Sequence, residues 1–170
     1  MQKGLEYLTN RRLLIFLLAV IILITFLFER ATIGIGGALL DMKLTVPDTA
    51  ARLAEMTGAQ RRAHLWVTLS LDTIYLLAYG GFLAGFAAHF AGRHAATIAL
   101  PGLLLMLADL SENMLIVACL TGHEALIPAK VAATQIKWFL FLLALALALG
   151  SGLTALVRHL RAGRRAAREI

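Results

Sequence analysis

Three polar side chains stand close together in an apolar stretch of the sequence. In LADLSENMLI, residues 107–116, Asp109, Glu112 and Asn113 follow the spacing i, i+3, i+4, which places them on one face of a helix. Two carboxyl groups held away from water can divide into one acid and one base. They can also share a proton or hold a cation, so this spacing alone leaves the chemistry open.

Two other apolar stretches carry matching polar stripes. Asp72, Tyr75 and Tyr79 follow i, i+3, i+7, and Lys130 and Lys137 lie seven residues apart on a third stripe. Because a charge exposed to hydrocarbon at the centre of a membrane helix costs at least ~2.5 kcal/mol, the three stripes should face one another. The sequence therefore predicts a ligand-binding site made of Asp72, Tyr75, Tyr79, Asp109, Glu112, Asn113 and Lys137.

The charges of this predicted site do not balance. Three carboxyl groups face one deep lysine, Lys137, because Lys130 is predicted to lie nearer the membrane surface and to extend its ammonium group to water. At least one carboxyl group should then be protonated or hold a cation. The alternative is a purely structural network, in which Lys137 pairs with Glu112 or Asp109 and sets the helix register.

The composition is typical of an integral membrane protein. Of the 170 residues, 60% are hydrophobic and 15% are charged, and the mean hydropathy is +0.81, well above that of a soluble domain. We predict one all-α membrane domain, residues 1–170, folded as a four-transmembrane-helix bundle. The stretches long and apolar enough for spans lie at about residues 13–28, 65–90, 97–120 and 131–156.

Basic residues predict the orientation of the chain. Lys3, Arg11 and Arg12 precede the first span, and five arginines lie in the tail at residues 157–170. Four spans place these regions on one side, so both termini should be cytoplasmic in a bacterial inner membrane and the connection at residues 29–63 periplasmic. With a rise of about 1.5 Å per residue, the charged side chains of the predicted site then share one layer of the outer leaflet.

The first apolar stretch has a second interpretation. A basic start followed by an apolar run is also typical of a cleaved signal peptide. No cleavage site of the A-x-A type follows closely, and three more spans come later. We therefore predict that the first helix is retained.

The connection between the first two spans predicts a short amphipathic helix outside the membrane. In TVPDTAARLAEMTG, Thr45 or Asp48 can cap the helix. The apolar residues Ala50, Leu53 and Met56 recur at a spacing of three. This helix should lie on the membrane surface or cap the bundle.

Two glycines of the second span, Gly81 and Gly85, form a small-xxx-small step that lets another helix approach closely. Packing within the bundle is the simpler interpretation, and a homo-oligomer or a membrane partner subunit is the alternative. The formal net charge of +6 is explained by arginines at the membrane surface. We therefore expect membrane lipids as partners, and no nucleic acid.

Metal and cofactor sites are not indicated. His64 and His123, near the predicted periplasmic ends, are weak candidates for metal ligands, since their spacing matches no compact metal-binding motif. Haem needs histidines within the spans, and the remaining histidines fall at the predicted cytoplasmic ends. The nucleophile and phosphate-binding motifs of common enzymes are also missing. We predict no metal and no cofactor.

The polar motifs carry a resemblance. LDTIYLLAYG, LADLSENML and TQIKWFLFLL, preceded by AARLAEMTGAQRR, resemble the pattern of a group of small, mostly uncharacterised bacterial four-span membrane proteins. That pattern is Leu-Asp followed by aromatic residues, Asp-x-x-Glu-Asn, and Lys-Trp, and the match extends over about residues 47–143. The resemblance implies the four-span fold and the same choice of polar residues. It implies no activity and no cofactor.

Three hypotheses of function follow. The first is a membrane-embedded binding or transport-like protein whose carboxylate and lysine site takes a lipid, an amphipathic small molecule, or a proton or cation. The second is a membrane-embedded enzyme acting on a lipid, with Asp109 and Glu112 as candidate catalytic residues. The third is a non-catalytic assembly subunit of a membrane complex.

Overall fold

The computed structural model describes residues 6–166, and every regular element in this range is helical. Within it, four helices are long and apolar enough to cross a membrane, namely Arg11–Ile35, Gly58–His89, Gly92–Leu120 and Glu124–Ala162. The predicted all-helical class and the number of candidate spans are confirmed. The residue Lys3 and the part of the predicted basic tail after residue 166 lie outside the described residues.

The helices are numbered here in chain order. They are α1 (Arg11–Ile35), α2 (Val46–Glu55), α3 (Gly58–Val67), α4 (Thr73–His89), α5 (Ala95–Leu120) and α6 (Ile127–Ala166). A π-helical turn, Thr68–Asp72, joins α3 to α4 without a break. Short 3₁₀ turns lie at Leu40–Met42, Gly92–His94 and Glu124–Leu126.

Capping hydrogen bonds set the ends of the helices. The helices therefore extend beyond the apolar stretches that the sequence predicts as spans. The Asn10 side chain accepts from the Arg12 N–H at the start of α1, and Gly36, with φ of 71°, ends it in the left-handed conformation. A capping box between Thr57 and Gln60 starts α3 at Gly58, well before the predicted start at residue 65. The polar ends of these helices are stabilised by local hydrogen bonds, which do not depend on hydropathy.

The connection between α1 and α3 folds over one end of the bundle, called here the capped end. Leu53 of α2 and Met56, directly after it, join Ile35 and Leu40 in an apolar cluster with the ends of α5 and α6. The Thr45 hydroxyl caps α2 by accepting from the backbone N–H of Asp48. Of the two predicted placements of this helix, the structure shows the one in which it caps the bundle.

The buried face of α2 differs from the predicted one. Ala50 is exposed, whereas Arg52 is buried. The Arg52 guanidinium donates to the carbonyl oxygens of Ala38 and Ile35. Ala50 therefore does not share the buried face that its spacing predicted, and Arg52 is buried because the carbonyl groups at the end of α1 provide acceptors that hydropathy does not reveal.

Gly81 and Gly85 face α1 within the chain. A β-carbon at Gly81 would lie 3.5 Å from Leu17, and one at Gly85 would collide with the backbone of Leu8. Both glycines are buried. In this structure the small-xxx-small step serves packing within the bundle, and self-association of the chain stays a prediction.

The helices α4 and α5 pack so closely at Gly102 that one added methyl group tests their contact. A β-carbon at Gly102 would lie 2.8 Å from the backbone nitrogen of Ala84. We expect Gly102→Ala to force the helices apart and to lower the free energy of unfolding by about 1–3 kcal/mol. Gly150→Ala is the matched control, because nothing lies within 4 Å of its added β-carbon. Equal unfolding midpoints of the two variants in detergent would contradict this expectation.

Candidate functional site

The candidate site is a cavity of about 510 Å³ between α1, α4, α5 and α6, beside the Leu40–Met42 turn. Both α1 and α6 pack on α4 but make at most a marginal contact with each other, which leaves the cavity between them. Its ionisable and phenolic lining residues are Asp41, Asp72, Tyr75, Tyr79, Asp109 and Lys137. The rest of the wall is almost entirely apolar or aromatic, and it extends away from the capped end.

Lys137 joins the helices at the centre of a layer of charged side chains, called here the charged layer. The other members of this layer are Asp41, Asp72, Asp109, Glu112 and Lys130. Its Nζ atom lies 2.5 Å from Glu112 Oε2 and 3.2 Å from Asp109 Oδ1. The same atom lies 3.8 Å from Asp41 Oδ2 in the Leu40–Met42 turn. Lys137 thus contacts both carboxyl groups with which its spacing suggested it could pair, and a third from the connection.

Lys130 is completely buried, so the prediction that its ammonium group reaches water is wrong. The Nζ atom donates to the carbonyl oxygen of Leu40 and, at 2.9 Å, to that of Lys43. It also lies 3.7 Å from Glu112 Oε1. The connection covers this end of α6, and its carbonyl groups replace water as the ligands of the ammonium group.

Glu112 and Asn113 lie outside the cavity wall. Glu112 is fully buried behind Lys137, and its Oε1 accepts from the Thr134 hydroxyl at 2.6 Å. Neither polar atom of the Asn113 side chain has a hydrogen-bond partner among the described residues. Of the two candidate catalytic residues, Asp109 lines the cavity and Glu112 does not, and a catalytic role for either stays a prediction.

Asp72 occupies an unusual position in this network. It ends the π-helical turn that joins α3 to α4, lines the cavity, and is only 8% exposed. Its carboxylate makes no hydrogen bond or ion pair with the described residues. A π-turn adds a residue to one helical turn and is frequent at functional sites. Here it places a lone acid on the cavity wall.

Aromatic rings form a continuous row along the cavity. Neighbouring ring centroids lie 5.2 to 5.9 Å apart, in tilted or edge-on arrangements. The row crosses from α1 over α4 to α6 in the order Phe28, Tyr75, Tyr79, Phe141 and Trp138. At its centre the Tyr79 hydroxyl donates to Asp109 Oδ2 and links the row to the charged layer.

The sequence did not single out Asp41 as a site residue. Asp41 lines the cavity, and its Oδ1 atom is buried without a hydrogen-bond partner among the described residues. The available signal was one acid inside the apolar run GGALLDMKL. That signal could not show that the run folds back over α6.

The two histidines proposed as weak metal ligands have other surroundings. His64 is buried, and its Nε2 accepts from the backbone N–H of Leu40 at 2.9 Å. Its Nδ1 then carries the proton and donates to the Thr68 hydroxyl at 3.1 Å. His123 is exposed. In residues 6–166 no three His, Cys, Asp or Glu side chains are placed to hold a metal ion.

Comparison of the chain with protein-family models, with curated proteins and with solved structures gives no match. The kind of protein can therefore be described only from its own structure. It is an all-helical protein with four candidate membrane spans around a cavity that is charged near one end and apolar elsewhere.

Proposed function

We propose that this is a multi-pass protein of the bacterial inner membrane that binds an amphipathic molecule in the cavity. The observation that supports this most is that the cavity wall has a charged part and an apolar part. A small polar solute would leave the apolar wall without a partner, and a hydrocarbon would leave the carboxyl groups without one. A molecule with a polar head and an apolar body matches both parts.

The orientation follows the basic residues. Arg11 and Arg12 start α1, and Arg158 and Arg161 lie near the end of α6, so all four lie toward the end opposite the cap. Basic residues at span ends favour the cytoplasm. The capped end would then face the periplasm, and the charged part of the cavity would lie in the outer leaflet.

The gap between α1 and α6 would provide the entry path. Thr25 of α1 and Trp138 of α6 both line the cavity, and both are exposed on the outside of the bundle. In a membrane, that opening faces lipid rather than water. An amphipathic molecule could therefore pass from the bilayer into the cavity without crossing the cap.

Native mass spectrometry of protein released gently from membranes tests the proposal. The wild type should retain an adduct of defined mass, and Thr25→Phe should lose it, because the added ring projects from the cavity wall. Leu23→Phe is the matched control, since Leu23 lies on the same helix, is 59% exposed and does not line the cavity.

An adduct that survives equally in Thr25→Phe would be bound elsewhere, and the cavity would lose its proposed role. Ligand-free spectra for all three proteins would also count against the proposal. If those spectra showed a larger complex of constant composition, they would favour the assembly-subunit hypothesis instead.

A further inference from the structure

The charged layer holds more acids than bases. It contains four carboxyl groups and two ammonium groups, which leaves two negative charges unmatched when all are ionised. These groups are Asp41, Asp72, Asp109 and Glu112 on one side and Lys130 and Lys137 on the other. The chemistry of the ligand depends on where the excess charge lies.

Both lysines are already engaged by other groups. Lys130 is held by backbone carbonyl groups and by Glu112, behind the cavity wall. Lys137 is closest to Glu112 and Asp109. The least compensated carboxyl groups are therefore Asp72, which is more than nine-tenths buried and faces the cavity without a partner among the described residues, and Asp41, whose Oδ1 atom lacks one too. A buried carboxyl group without a partner either takes up a proton or keeps its charge by binding a cation.

The aromatic row favours an organic cation over a metal ion. Aromatic faces attract ammonium groups, and quaternary ammonium ligands are commonly bound between them. Tyr75 and Tyr79 lie on α4 directly after Asp72, so rings and carboxylate share one wall. A metal ion would need several close ligands, and the described residues contain no such group of acids and histidines.

The space beyond the charged layer fits a hydrocarbon tail. A second cavity of about 430 Å³ lies between α1 and α4, and it shares Leu18 and Phe82 with the first. It continues toward the uncapped end past Leu14 and Phe86. From Asp72 to Phe86 the helix rises about 20 Å at about 1.5 Å per residue, which is enough for an extended chain.

We infer that the ligand is an organic ammonium ion with a long hydrocarbon tail. Its head lies between Asp72 and the aromatic row, and its tail lies along the groove between α1 and α4. This inference rests on the proposed binding function and adds the charge of the ligand to it. It excludes anionic headgroups, for which Lys137 would have to leave its carboxylate partners.

Tryptophan quenching in nanodiscs tests the inference. The chain has two tryptophans, so Trp66→Phe leaves only Trp138, which lies on the cavity wall. Three probes with one bromododecyl tail differ only in the head, which is trimethylammonium, sulfate or hydroxyl. We expect the ammonium probe to quench at about tenfold lower concentration than the other two. Thr25→Phe, added to Trp66→Phe, places a ring in the cavity. The quenching that remains in this double variant comes from probe in the surrounding lipid.

Asp72→Asn should abolish the preference for the ammonium probe, because the amide keeps the shape of the side chain and removes its charge. Its unfolding midpoint should be unchanged or higher, since the buried carboxyl group that it replaces makes no hydrogen bond or ion pair with the described residues. Glu29→Gln is the matched control, because Glu29 is an exposed carboxyl group on α1 outside the cavity. Should Asp72→Asn fail to fold, Asp41→Asn provides the same test.

The outcomes separate the two proposals. If all three probes quench equally and Thr25→Phe reduces that quenching, the cavity binds amphipathic molecules without selecting a cation. The inference would then be wrong. A preference that persists in Asp72→Asn would also overturn it. Quenching that Thr25→Phe leaves unchanged for every probe would remove the proposed binding function as well.

Discussion

Replacement of Lys137 by methionine is expected to lower the free energy of unfolding by about 3–5 kcal/mol. The ammonium group lies within 3.2 Å of carboxylate oxygens of both Glu112 and Asp109, and both acids are buried. Methionine fills nearly the same space but leaves Asp109 without its lysine partner and leaves Glu112 with only Lys130, whose Nζ lies 3.7 Å away. An uncompensated buried charge is costlier than the absence of the whole pair.

Unfolding by a denaturing detergent from mild micelles measures this loss. Lys43→Met is the matched control at the capped end, because the described contacts of Lys43 with this network use only its backbone carbonyl. Adding Glu112→Leu to Lys137→Met should recover part of the loss, since it removes one of the stranded charges. If Lys137→Met and Lys43→Met unfold at the same detergent fraction, the ion pairs contribute little to stability.

The second large effect is expected from Lys130→Met, and it should be local. The Lys130 ammonium group donates two charge-assisted hydrogen bonds, to the carbonyl oxygens of Leu40 and Lys43. At roughly 1.5 kcal/mol each, their loss amounts to about 3 kcal/mol. The turn at Leu40–Met42 should then open more readily, while His64 and Arg52 still attach the segment around it.

Hydrogen exchange with mass spectrometry can follow the opening of this turn. Peptides that cover residues 39–44 should exchange about a hundredfold faster in Lys130→Met, while peptides from α4 and α5 keep their protection. The same variant should weaken ligand binding, because Asp41 of this turn lines the cavity. Unchanged exchange at the turn would show that the two hydrogen bonds do not hold the cap in place.

The helical part of the structure was accessible from the sequence. Apolar stretches of about 20 residues locate the four candidate spans, since a helix of that length is needed to cross a bilayer. The fixed period of the helix also places Asp72 and Tyr79 on one stripe and Asp109 and Glu112 on another. These are local properties of the chain, and helix geometry alone converts them into faces.

The tertiary structure decided what each face meets. Lys130 is buried, and Asp41 reaches the cavity, because the connection after α1 folds back over the ends of α5 and α6. Glu112 lies behind Lys137, whereas Asp109, three residues earlier on the same stripe, lines the cavity with Asp72. Periodicity specifies which residues share a face of one helix. The partners across that face depend on helix packing and on the path of the connection, which are set by contacts between residues far apart in the chain.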